Sequence, residues 1–437
     1  MVCRYCGYQN ASDAKYCSGC GRKLHEGGVN KKLLALAAVC LLLVGVGIGL
    51  LIPGKGTNDE KISVVDNDTA GILSKREAVE IKQVVPMEDG SVAVLYTDGT
   101  VRVSGNTNFS EIVSCWSQVS RLYTSRYNIL SDGTILAGVT ASGEVLTTAG
   151  NLSGWSNVKE LHFPWQGIVG ITHDGSVLTY GDWEDDSFFR ELTDVDTLAN
   201  VGEEWACLKK DGSVVFNYPY DIEYGYGISW TNVKELRASD HGFYAIMKDG
   251  TVEGMFDEVY YGLTGAVKVV DFEDWLFGIS VDGRLLTHNG GNIYTNLGDM
   301  AVDEPGSPYY GGEIDIGRFG QVKDIVPFSG LILLNKDGTA EHIGESPNWD
   351  LTQWRNVRKV CGCYSAEGFT KLYAIQQDGS VIMHQYDWVD QTVAAQYRGW
   401  KLKDIYAGDE GVVGLTTDGK LVGDGIYEYV DFSVFEQ

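Results

Sequence analysis

A strand-like apolar run, an Asp-Gly pair and a second alternating run recur along this chain, and this limits the possible fold more than any other feature. Copies include VAVLYTDGTVRVSGN (92–106), GIVGITHDGSVLTYGD (167–182), FYAIMKDGTVEG (243–254) and VVGLTTDGKLVGDG (412–425). Counting AGVTASGEVLTTAGN (137–151), where Ser142 replaces the aspartate, there are nine. Asp-Gly between alternating apolar runs predicts a hairpin, because the turn needs positive φ, which glycine adopts freely and aspartate tolerates. Many copies follow a second phrase, WSQVSRL (116–122), WSNVKEL (155–161), WTNVKEL (230–236) or WRNVRKV (354–360). Its alternate Val and Leu predict another strand, with the tryptophan packed at its start.

Three strands per unit at a period of roughly forty residues predict a β-propeller, since one sheet cannot cover both its faces and a closed ring covers each with its neighbours. The expected fold is mainly β, a propeller of about 7–9 blades from nine sequence units. Successive turn positions are 32 to 55 residues apart, and the longest step carries an insertion at about Gly291–Gly317, rich in Gly, Pro and Tyr. The repeat, with its x-D-G-[ST]-V core, resembles the regulator-of-chromosome-condensation family, with short three-stranded blades as in the bacterial beta-lactamase-inhibitory propeller. The resemblance implies the fold. The family's usual histidine and its G-Q-L-G phrase are absent, so nucleotide exchange and chromatin binding are not carried over.

Ahead of the repeat lies a different chemistry. Leu33 to Ile52 is twenty residues without a charge. As a helix it would span roughly 30 Å, the hydrocarbon thickness of a bilayer, and it predicts a single transmembrane α-helix at 33–52. Six of the 34 basic and two of the 60 acidic residues precede it, leaving 28 basic and 58 acidic residues after it. Lys15, Arg22, Lys23, Lys31 and Lys32 lie just before the run, against Lys55 and Lys61 just after it. The positive-inside rule therefore predicts a cytoplasmic N-terminus and an extracellular C-terminal part in a single-pass cell-membrane protein. A cleaved signal peptide is the competing reading. Against it stand the preceding cysteine motif, the length of the run and the lack of a small-residue cleavage site after Ile52. Gly45 and Gly49 have the spacing of a helix-dimerisation face, a weak signal of homodimerisation in a glycine-rich segment. Residues 53–77 read as a polar tether.

Cys3, Cys6, Cys17 and Cys20 form two C-x-x-C pairs separated by ten residues, the pattern that places four thiolates tetrahedrally around one zinc ion. Disulfides are the alternative, disfavoured by a reducing cytoplasm. With Tyr16, Gly21 and Leu24 in place, the segment resembles the short N-terminal zinc ribbon of many bacterial membrane proteins. The resemblance implies a structural module at 1–28, with all four zinc positions filled by protein.

Catalytic signals are missing from the sequence, and no enzyme activity is expected. The histidines after the helix fall at unlike repeat positions, and no metalloprotease, nucleophile-elbow or phosphate-loop motif occurs. The repeated aspartates read as turns. The run Asp182–Glu184–Asp185–Asp186 lacks an EF-hand spacing and reads as a solvated loop. Cys361 and Cys363, with Cys115 and Cys207, read either as small buried residues or as a strained 361–363 disulfide. Net charge excludes nucleic acid as a partner of the repeat region, 78–437. The reading that results is a membrane-anchored extracellular binding protein whose ligand is a protein or a cell-wall component. Tyr218, Tyr220, Tyr224, Tyr226, Tyr260, Tyr261, Tyr309 and Tyr310 are candidates for its binding face. An extracellular glycan-acting enzyme and a single-span sensor are the alternatives.

Overall fold

The computed structural model describes residues 79–436, apart from 106, 126–133, 184–185, 218–228, 240–241, 257–258, 273–274, 288–292, 295–312, 315–318, 345–348, 365–368, 387–390 and 409. The zinc-ribbon cysteines, the apolar run with Gly45 and Gly49, and the tether lie outside them. Among the described residues, no helix is long and apolar enough to cross a membrane. All of them but Val79 fall in one compact unit, Glu80–Gln437.

Nine antiparallel sheets follow one another, at residues 81–104, 119–147, 158–181, 195–216, 233–264, 266–287, 322–343, 357–394 and 402–425, here called sheets 1 to 9. Each takes its strands in sequence order. Seven have the three strands expected; sheets 5 and 8 gain a fourth, Val259–Thr264 and Gln391–Ala394. The insertion supplies a separate pair, Ile293–Tyr294 with Glu313–Ile314.

Each unit folds this way because its turn is locally determined. The Asp98 carboxylate accepts the Thr100 amide at 2.9 Å, and Gly99 takes φ +80°. The same bond recurs at Asp211, Asp249, Asp337 and Asp378. In the copy without an aspartate, the Ser142 hydroxyl lies 2.9 Å from that of Thr140, and Gly143 keeps the positive φ. Middle strands such as Val92–Tyr96 and Ile135–Thr140 are buried throughout, because a neighbouring sheet covers each face.

Neighbouring sheets bury their apolar residues against one another, with the repeat-start tryptophans between them. Trp354, fully buried, packs with Ile332 and Leu334 of sheet 7 and Leu372 and Ala374 of sheet 8. Trp116 and Trp230 hold the same place at other joints.

The first strands of neighbouring sheets approach one another and form the inner wall of the ring. All nine carry a β-bulge at the same place, between residues 81 and 83, 119 and 121, 158 and 160, and their equivalents. The residue before the bulged stretch is often left-handed, as at Gln118, Asn157, Asp194, Asn232 and Asn356. That accounts for the Asn of the W-x-N-V phrase, since Asn tolerates this conformation better than most residues. The kink lets seven of the nine turns dock on the next sheet. Val119 donates its amide to the Gly99 carbonyl, Val158 to Gly143, Val195 to Gly175, Val233 to Gly212, Val322 to Gly283, Val357 to Gly338 and Leu402 to Gly379. The glycines are required twice over, by φ and by proximity: a Cβ on Gly143 would sit 2.6 Å from the Asn157 Cα.

Sheet 9 meets sheet 1, so the ring closes. The chain past sheet 9 reinforces this joint. Tyr427, fully buried, donates its hydroxyl to the Met87 carbonyl at 2.9 Å, and Tyr96 donates to the Phe435 carbonyl at 2.9 Å. Ser104 and Arg102 donate to the Asp431 and Val434 carbonyls.

Candidate functional site

Four thiolates at Cys3, Cys6, Cys17 and Cys20 are a donor set suited to a closed structural zinc site. These positions lie outside the described residues. Among the described residues, no group of three or more His, Cys, Asp or Glu side chains is placed to hold a metal ion.

The eight turn aspartates are distributed around the ring, one in every sheet but sheet 2, and do not converge. Asp98, Asp211 and Asp337 are held below the usual carboxylate range by hydrogen bonds from the hydroxyl and amide of Thr100, Ser213 and Thr339. Asp378 is lowered further by the Lys401 ammonium, 2.6 Å away.

Along the inner wall, the position after the bulge joins one sheet to the next at four of the joints. Gln83 exchanges two 2.9 Å hydrogen bonds with the Leu122 backbone. Thr197 donates to Glu160, whose Oε1 lies 3.2 Å from His162 Nε2. Lys268 pairs with Asp324, and Lys359 with Asp404 at 2.5 Å. Two of these charge pairs, Lys268–Asp324 and Lys359–Asp404, cross a sheet joint, while Glu235 pairs with Arg237 of its own strand.

Two ionisable clusters lie deeper, and sequence reasoning missed both because their members are dozens of residues apart. At the joint of sheets 8 and 9, the buried Asp424 carboxylate accepts from Lys371 at 2.9 Å, from Arg398 at 3.0 Å and from the Tyr373 hydroxyl. Burial pushes its carboxyl up, but the hydrogen bonds from Tyr373 and Lys371 outweigh it and leave it below its ordinary value. Burial also drives Tyr373 far above the usual tyrosine range, so it stays a donor. At the joint of sheets 7 and 8, the Trp354 indole donates to His384 Nε2 at 2.8 Å, and the Gln391 amide lies 2.6 Å from Nδ1. Burial lowers His384 to about 4, so the imidazole is neutral at physiological pH and able to accept the indole proton.

Cys115, Cys207, Cys361 and Cys363 are free, and no 361–363 disulfide forms. Cys361 and Cys363 pack in the core between sheets 8 and 9, where burial pushes their thiols up to about 11 and about 12. Cys207 is raised to about 12 for the same reason. Protonated thiols in an apolar core are poor nucleophiles.

The aromatic residues divide by position. Repeat-start Trp116, Trp230 and Trp354 are buried in the joints, as their place at the strand starts predicts. Two exposed aromatics stand where first strands lead into middle strands, Trp165 at 61% exposed and Tyr364 at 56%, the latter against Phe328 of the preceding sheet with ring centroids 5.1 Å apart; Tyr429, 90% exposed, lies in the segment past sheet 9. The side chains of Tyr218, Tyr220, Tyr224, Tyr226, Tyr260, Tyr261, Tyr309 and Tyr310 lie outside the described set.

Comparison with known proteins adds to this geometry. No curated protein matches the chain. Among solved structures, the chain is similar to the computationally designed Ika8 protein, at 16% identity over 70% of this chain and 95% of that one, with a TM-score of 0.33. It is also similar to yeast RCC1 (Prp20) in its complex with Kap60, at 13% identity over 61% and 69% of the two chains, TM-score 0.32. A third is BamB from Moraxella catarrhalis, at 13% identity over 78% and 92%, TM-score 0.32. The zinc-ribbon domain family matches residues 2–24, the segment that holds all four N-terminal cysteines, and this match implies zinc binding in general terms.

Proposed function

We propose that this chain is a membrane-anchored binding protein: a zinc ribbon on Cys3, Cys6, Cys17 and Cys20 in the cytoplasm, one span at 33–52, and a nine-bladed β-propeller of the regulator-of-chromosome-condensation type outside the cell. One observation carries the binding role. The interior ionisable groups Glu160, Asp424 and His384 each bond across or beside a sheet joint, so their chemistry holds blades together. What the ring offers outward is its two ends, one of them bearing the exposed Trp165 and Tyr364. Support for the anchor is the uncharged twenty-residue run with basic residues on one side and the acidic region on the other.

Two measurements test this reading. A membrane-impermeant thiol reagent applied to intact cells should leave Cys3 unlabelled until the membrane is opened; labelling from outside overturns the topology. Crosslinking on intact cells should then capture a protein or cell-wall ligand on the full chain, and capture confined to cytoplasmic proteins would refute the extracellular role. For the metal, one zinc per chain is expected in the purified protein, lost when Cys17 and Cys20 are replaced by serine.

A further inference from the structure

The bulge on each first strand inserts one residue at the inner wall, and these nine residues have an unusual composition. They are Lys82, Ser120, Lys159, Asp196, Lys234, Val267, Lys323, Arg358 and Lys403. Six are basic and one is acidic, in a repeat region (78–437) that holds 24 basic and 53 acidic residues. Because they occupy one repeat position on adjoining first strands, they form a ring near the turn end of the central channel.

The side chains run around that ring. A bulge leaves the carbonyl of its extra residue without a partner in its own sheet, and the basic residue of the preceding sheet supplies one. Lys82 donates to the Ser120 carbonyl at 2.7 Å, Lys159 to that of Asp196, Lys323 to that of Arg358 at 3.5 Å, and Arg358 to that of Lys403 at 2.6 Å. Carbonyls orient these cations without neutralising them; among the described residues, Lys159 alone of the four also meets a carboxylate, that of Asp196. Lys234 and Lys403 are exposed and have no side-chain partner among the described residues. The turn aspartates lie farther out, because their turns join middle to outer strands, and several are already engaged, Asp378 by Lys401 and Asp282 by Arg284.

The geometry points to a binding site for a slender phosphate polyanion at the turn end of the channel, seated on the axis within the ring of bulge lysines. Charge placement selects this occupant. A cationic ring inside a carboxylate ring repels a broad polyanion laid across the end and attracts a narrow one entering along the axis. Five of the six cations are lysines, which bind phosphate as point charges and need no fixed bidentate geometry around the axis. The inference rests on the proposed function only in taking the ring as the ligand-binding part.

The test is titration of the purified full-length chain in detergent with short-chain inorganic polyphosphate, by calorimetry at several salt concentrations. Replacing Lys234 and Lys403 together by glutamine should weaken binding about tenfold and reduce the slope of log affinity against log salt by about 1–2. Asp196→Asn should tighten binding about threefold, by removing the ring's single negative charge. Lys420→Gln, at the same end but in the turn before an outer strand, should change nothing. The assignment is overturned if wild-type chain does not bind polyphosphate, if Lys420→Gln weakens it as much as the ring variant, or if poly-glutamate or duplex DNA binds as tightly. Neither ring lysine has a partner whose loss would unfold the protein, and Asp196→Asn gives a gain that misfolding cannot imitate. Such failures leave the proposed extracellular role standing, since that falls only to the labelling and crosslinking results.

Discussion

Two joints of the ring hold by different means. Between sheets 8 and 9 the Leu402 amide docks on the Gly379 carbonyl, Lys359 pairs with Asp404, and Asp424 gathers Lys371, Tyr373 and Arg398. Between sheets 9 and 1 the turn plays no such part: Gly419 has no atom within 4 Å of where a Cβ would stand. There the chain's last residues lie over sheet 1, with the Tyr427 and Tyr96 hydroxyls crossing in opposite directions. Chain continuity is not the whole of this difference, since Gly250 of sheet 5 is equally open although the chain runs straight on into sheet 6. Seven of the eight pairs of units that follow one another along the chain share one local device, whereas the first and last meet with no peptide between them and have their own contacts.

Changes that separate the two joints sharpen this view. The largest effect is expected from Tyr427→Ala, which removes a fully buried ring and uncaps the Met87 carbonyl at the closure; about 3–5 kcal/mol of stability should be lost, read by denaturant unfolding. A loss under about 1 kcal/mol would show that the closure does not depend on the terminal segment. Asp424→Asn at the other joint leaves the mostly buried Lys371 without its counter-charge and should cost about 3 kcal/mol.

His384 at the joint of sheets 7 and 8 gives a pH signature that the closure lacks. Its folded value of about 4 lies below its ordinary 6.5, so between the two the unfolded chain binds the extra proton. Stability is therefore fully present above about pH 6.5 and falls progressively toward pH 4, by up to about 3 kcal/mol. His384→Gln should flatten the unfolding midpoint across that window; an unchanged slope would assign the acid sensitivity elsewhere.

The smallest contrast lies in the turn glycines. Gly143→Ala meets both a φ of +78° and the Asn157 backbone, and should cost about 2–3 kcal/mol. Gly419→Ala has the same sign of φ but open space, and should cost about 1 kcal/mol. Equal losses would mean that turn conformation, not docking, is what these glycines provide.

Much of the fold was legible because its signals are local. A hairpin is specified within about a dozen residues by alternation and Asp-Gly, so nine units could be counted, even where Ser142 replaces the aspartate. The tryptophans could be placed at strand starts for the same reason. The four N-terminal cysteines, matched as a zinc ribbon, declare their chemistry by spacing alone. The uncharged Leu33–Ile52 stretch likewise carries its membrane reading in composition.

What crosses from one sheet to another was not legible. The Lys in V-K-E-L reads as a solvated strand residue; only the bulge, set by docking on the preceding turn, puts it in a ring of cations. Asp424 reads as an ordinary outer-strand aspartate until Lys371, 53 residues earlier, is brought against it. Tyr427 belongs to no repeat, and its partner Met87 lies 340 residues away. Sequence alone determined the nine hairpin units, the cysteine pairs and the apolar run, because each rests on neighbours along the chain. Tertiary structure decided how the ring closes, which charges are buried and paired, and which are left facing the channel, because those depend on groups that meet only when separate sheets pack.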